Sequence, residues 1–129
     1  MKKLIIIVAL FSANALDGNA EIHTLIAKEN ALRMRFNNMA ASHNEVVTKE
    51  QSDELIKGHM ESIIHLIQAK HVTIDKCESA GESLYKANKS WENDFIKMGT
   101  DKEIVDRYIL AIADYSEAVC NAYLTRDEK

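Results

Sequence analysis

The chain has 129 residues, the length of one domain, with 16 basic and 20 acidic side chains and a net charge of −4. That balance argues against a duplex nucleic-acid binder, whose phosphate contacts need a basic stripe, and suits a basic partner better. Proline is absent and glycine numbers only four, which argues against a turn-rich sandwich or barrel and predicts long helices.

The N-terminus reads as an address. Lys2 and Lys3 give a positive start, Leu4 to Phe11 are unbroken apolar, and small residues follow. This is the pattern of a signal peptide covering residues 1–20, cleaved after Ala20, with Ala15 the alternative site. The apolar run is too short for the roughly 20 residues of a membrane span. No cysteine follows it to accept a lipid. Cleavage would remove Lys2, Lys3 and Asp17 and leave a single helical domain, residues 21–129, with a net charge of −5. The expected destination is the periplasm or the exterior. The only two cysteines, Cys77 and Cys120, then pair most simply as one disulfide.

The first helix is predicted from about Ile22 to His43. Ile22, Leu25, Ile26, Leu32, Phe36, Met39 and Ala40 share one face, interrupted by Glu29. After a short connection, Thr48 and Gln51 have the spacing of a capping box. The helix beyond carries Ile56, Met60, Ile63, Ile67, Ile74 and Cys77 at alternating steps of three and four. Either one long helix runs from about Lys49 to Lys97, or a joint near Thr73 divides it. The stripe continues through Ala80, Gly81, Leu84, Trp91 and Phe95. Gly99 sits where a left-handed helix end wants glycine, and Thr100 with Glu103 has the spacing of a second capping box. The last helix repeats Val105, Tyr108, Ile112, Tyr115, Val119 and Ala122 on one face, and the charged tail from Thr125 onward is expected to fray.

Cys77 and Cys120 lie equally far from the turn between Met98 and Gly99. In an antiparallel hairpin such positions face each other. Ala80, Gly81, Ala118 and Ala122 are small enough for the close approach a disulfide needs. The same reasoning pairs Phe36 with Ile56, Leu32 with Met60 and Leu25 with Ile67. The expected fold is an all-α, up-down helical bundle stapled by one disulfide. It has four helices if the joint exists. Without the joint it has three, with a long central helix whose open faces a homodimer would have to cover.

No sequence pattern points to an enzyme. Ser62, Ser79, Ser83, Ser90 and Ser116 are scattered along helices, without a nucleophile elbow or a phosphate-binding loop. The pairs Asp53/Glu54 and Asp101/Glu103 fall at helix N-termini, where carboxylates favour the dipole. The cysteine spacing fits neither a redox pair nor haem attachment, so no cofactor is expected. None of the five histidines stands in a His-x-x-x-His or Glu-x-x-His pattern, though His65 shares a face with Glu61 four residues earlier. The two are the weak metal candidates. Tyr85 and Trp91 are the aromatics most suited to a partner contact.

Val47-Thr48-Lys49-Glu50-Gln51 is similar to the Leu-Thr-x-x-Gln motif of the small periplasmic stress proteins and chaperones related to Spy and CpxP, with valine in place of the leading leucine and no second copy. The resemblance covers five residues and implies a helical stress chaperone or sensor. The residues themselves lead first to an exported protein-binding module. Its sharpest form is an inhibitor or immunity-type protein against a basic toxin or cell-wall hydrolase. A chaperone is the second reading and a metal-binding helical bundle the third.

Overall fold

The computed structural model describes residues 20–126. The proposed signal peptide, apart from Ala20, and the last three residues of the charged tail lie outside the described residues. Five α-helical segments and one 3₁₀ turn follow in order: α1 (Ala20–Ser42), α2 (Lys49–Ala69), the 3₁₀ turn (Ile74–Lys76), α3 (Cys77–Lys89), α4 (Glu92–Lys97) and α5 (Lys102–Thr125). The chain is an all-α, up-down bundle of four helical columns, α3 and α4 together forming the third. Among the described residues no helix is long and apolar enough to cross a membrane.

Three helix ends share one device. At the end of α1, Asn44 has φ of 60°, its amide donates to the Ala41 carbonyl and that of Glu45 to Ala40. At the end of α2, His71 has φ of 50°, and the amides of His71 and Val72 donate to the carbonyls of Gln68 and Ile67. At the end of α4, Gly99 has φ of 94°, with Gly99 and Thr100 donating to Ile96 and Phe95. Each is a Schellman closure, a left-handed residue that turns orphan carbonyls back onto the chain. The closure at His71 is the joint that divides the column. The long central helix is thereby excluded. Ile74, expected on the apolar stripe, falls in the joint and is 49% exposed.

The helix starts differ from one another. Thr48 caps α2 as expected: its side chain accepts from the Gln51 amide and the Gln51 side chain accepts from the Thr48 amide. Thr100 does not cap α5. Asp101 does, accepting from the Glu103 amide at 2.8 Å. The Thr100 hydroxyl is instead buried 2.6 Å from His43 Nε2, tying the two loops at that end of the bundle. The column from Cys77 to Lys97 also breaks where continuity was expected. Ser90 and Trp91 interrupt it, and the Trp91 indole donates to Asn88 at 3.1 Å.

α5 is the hub. α1, α2 and α3 all pack on it, and α1 lies against α5 more extensively than against its own hairpin partner α2. This modifies the expected picture of two self-contained hairpins. Phe36, expected opposite Ile56, stacks on Tyr108 of α5 at 6.2 Å between ring centroids. Trp91 meets Tyr108 edge-on at 6.4 Å and Phe95 at 5.1 Å, so one aromatic cluster joins α1, the α3–α4 column and α5. Val105, Ile109, Tyr115, Val119 and Cys120 are sealed from solvent, as are Leu25 and Leu32 of α1. A helix buried on most sides needs small residues where neighbours come closest, and Ala111, Ala113, Ala118 and Ala122 supply them.

Candidate functional site

Because α1 and α3 flank α5, only a narrow strip of the hub reaches solvent. Leu110 stands on that strip, 49% exposed, with a groove on each side. It lies off the apolar stripe of α5, among Arg107, Asp114 and Glu117.

The groove between α3 and α5 has a volume of about 210 Å³ and is lined by Gly81, Glu82, Tyr85, Lys86, Leu110, Ala113, Asp114 and Glu117. Its shape follows from Gly81. A β-carbon there would stand 3.2 Å from the Ala113 carbonyl oxygen and 3.3 Å from Glu117 Cβ. Glycine therefore lets the two helices close and leaves a trough above the contact. The disulfide, with α-carbons 5.6 Å apart, sets the same close approach one turn away. Tyr85 and Leu110 give the trough apolar walls. Three carboxylates line it against one lysine, and Asp114 is already 3.7 Å from Lys28 of α1.

Of the partner-binding residues expected from sequence, Tyr85 lines this groove and Trp91 does not. Trp91 is half-buried in the aromatic cluster. The structure therefore separates the pair. Glu82, Leu110, Asp114 and Glu117 were not singled out by sequence. Leu110 carried a usable signal, as a large aliphatic residue on the face of the last helix opposite its stripe. Glu61 and His65 are both exposed on α2, and among the described residues no three metal-ligating side chains come together.

Among the described residues two buried side-chain polar atoms have no hydrogen-bond partner, the Tyr115 hydroxyl and His59 Nε2, and neither residue lines these grooves. Burial first, then the Glu29 charge, raises the Tyr115 pKa. Glu29 itself is raised above 4.5 by burial, against the pull of Arg33. Arg33 donates to Ser52 Oγ at 2.5 Å and to Asp53 at 2.6 Å, fastening α1 to α2.

Comparison with known proteins finds no family model, no curated protein and no solved structure that matches this chain.

Proposed function

We propose that the protein is an exported, non-enzymatic protein-binding module that takes a basic segment of its partner into the α3–α5 groove. Its sharpest form is an inhibitor or immunity-type protein against a basic toxin or cell-wall hydrolase. The observation that carries the reading is the composition of the groove: an exposed leucine and a tyrosine between carboxylates of Glu82, Asp114 and Glu117. An aliphatic and an aromatic anchor ringed by charge is the anatomy of an interface hot spot. The carboxylates would steer a basic partner and fix its register. A disulfide-stapled frame holds these groups in place before binding, which lowers the ordering cost of association. The chaperone reading has less support, because Thr48 and Gln51 are both engaged in capping α2.

The test is capture from periplasmic extract on immobilised protein, with mass spectrometry of what is retained. Wild type should hold one partner stoichiometrically. Leu110→Ser and Tyr85→Ala should release it, and Glu82→Gln/Glu117→Gln should slow association at low salt. Retention of many unrelated proteins, or of one partner equally by all variants, would overturn the reading.

A further inference from the structure

α1 carries its charges on its flanks and none on its outer face. Ten of its residues are exposed and not one of them is charged, whereas five of the ten exposed residues of α2 carry charge. The charged side chains of α1 are all partly buried. Lys28 turns to Asp114 of α5, Arg33 is fastened to Ser52 and Asp53 of α2, and Arg35 lines the α1–α5 groove together with Asp101 and Glu103.

The outer face has an order of its own. Ala27, Asn30, Met34, Asn38 and Ala41 are all exposed and fall in one narrow strip at helical period. Met34, at its centre, is 50% exposed. The strip reads the same in both directions, with an asparagine four residues and an alanine seven residues to either side of Met34. A two-fold axis through Met34, perpendicular to the helix, lays this pattern antiparallel on itself. That is the condition of an isologous contact, in which residue i meets j and j meets i.

We propose that the outer face of α1 is a homodimerisation surface, packed antiparallel on the same face of a second copy of the chain. Met34 meets the partner's Met34 on the axis, Ala27 meets the partner's Ala41, and Asn30 meets the partner's Asn38. An asparagine amide both donates and accepts, so each Asn30–Asn38 pair satisfies itself and fixes the register. The alanines let the helices close at both ends, and methionine adapts to its own copy at the centre. Charge selects the occupant. With a net charge of −4, two copies repel over most of their surface. The α1 face is where they meet without desolvating a charge. A strip roughly 21 Å long and one helix wide falls short of the ~800 Å² per partner of a standard interface, so the association is reversible. The strip shares no residue with the α3–α5 groove.

Analytical ultracentrifugation of the intact protein from about 1 μM to about 1 mM should show monomer giving way to dimer. High salt should leave the dimer in place, since no ion pair holds it. Met34→Lys sets two cations against each other on the axis and should weaken dimerisation at least about tenfold, while dilute protein keeps the wild-type melting curve. Cysteine pairs read the register. Ala27→Cys mixed with Ala41→Cys should cross-link under mild oxidation, and either variant alone should not. Cys77 and Cys120, 1% exposed and already joined, stay out of the exchange. Monomer throughout the range, dimerisation unchanged in Met34→Lys, loss of the dimer in high salt, or cross-linking of Ala27→Cys to itself would each overturn the proposal.

Discussion

Cys77 and Cys120 are joined across the α3–α5 contact with α-carbons 5.6 Å apart, so the bond ties the first turn of α3 to the hub helix. Both residues are 1% exposed. The bond closes a loop with a sequence separation of 43, for which the chain-entropy account gives roughly 4 kcal/mol. The rest of the core packs without it, so Cys77→Ala/Cys120→Ala should remain helical while losing about 2–4 kcal/mol. Circular dichroism and urea unfolding measure the two parts separately. Titration of wild type with a thiol reagent should find no reactive group until the protein is unfolded and reduced.

The three left-handed helix ends predict changes of opposite sign. Gly99 occupies its position without steric cost, whereas His71 carries a β-carbon at φ of 50°. Left-handed backbone costs an ordinary residue about 1–2 kcal/mol. Gly99→Ala should therefore lower the unfolding free energy by about 1 kcal/mol or more, and His71→Gly should raise it by up to about 1 kcal/mol. Equal and same-signed effects in urea titrations would contradict the assignment.

What the sequence revealed follows a physical divide. Local hydrogen-bond signals were legible: the Thr48–Gln51 cap and the closure at Gly99 depend on a few neighbouring residues. The disulfide was legible because the two cysteines are placed symmetrically about such a turn. The joint near Thr73 was legible only as one of two alternatives, because the histidine at its closure, His71, merely tolerates left-handed backbone, where glycine announces it. Thr100 was misplaced as a cap for a tertiary reason, its bond to His43 across the bundle. The hub role of α5 was written less in the stripe from Val105 to Ala122 than in the alanines beside it, Ala111, Ala113 and Ala118. The grooves depend on which helices flank the hub, which period alone cannot order.

Two groups should give stability opposite pH dependences. Burial holds the His59 imidazole below its ordinary 6.5, and its Nε2 has no hydrogen-bond partner. As pH falls through about 6.5 the unfolded chain takes up the proton first, so stability is full above that value and is lost below it. His59→Leu should flatten this loss. Glu29 is raised above 4.5, mainly by burial. Its contribution is present below about 4.5 and disappears as pH rises through the folded value. Glu29→Gln should therefore stabilise at pH 7 and have little effect at pH 4. Urea midpoints from pH 4 to 8 for wild type and both variants separate the two.

Gly58 and Gly81 are both helical, and only one of them makes a close contact. Nothing lies within 4 Å of a β-carbon built on Gly58, so Gly58→Ala should gain about 0.5–1 kcal/mol from helix propensity alone. At Gly81 the Ala113 backbone oxygen at 3.2 Å opposes the same gain. Gly81→Leu should force α3 from α5 and cost about 1–3 kcal/mol. It should also abolish partner capture through the α3–α5 groove. Thermal melts of wild type and the two variants should place Gly58→Ala above wild type and Gly81→Leu below it.

Glu92 is a carboxylate 6% exposed at the break between α3 and α4. Lys89 reaches it at 2.7 Å and reaches Asp106 of α5 at 2.8 Å, while Lys102 stands 4.0 Å from Glu92 and 3.7 Å from Asp106. The hydrogen bonds to Asp106 and Glu92 raise the Lys89 pKa, and the same contact with Lys89 lowers that of Asp106. Lys89 is thus the bridge between the broken column and the hub. Lys102, being well exposed, is screened and contributes less. Removing Lys89 alone leaves Glu92 buried beside Asp106 with its main counter-charge gone, and an unpaired buried charge costs more than the pair contributes. Lys89→Met should therefore destabilise more than Lys89→Met/Glu92→Leu, which removes both charges and keeps apolar volume at the kink. Urea unfolding of wild type, the two single variants and the double variant completes the cycle. If the single losses simply add, Lys89 and Glu92 are independent surface charges and the break at Trp91 is held by the aromatic cluster alone.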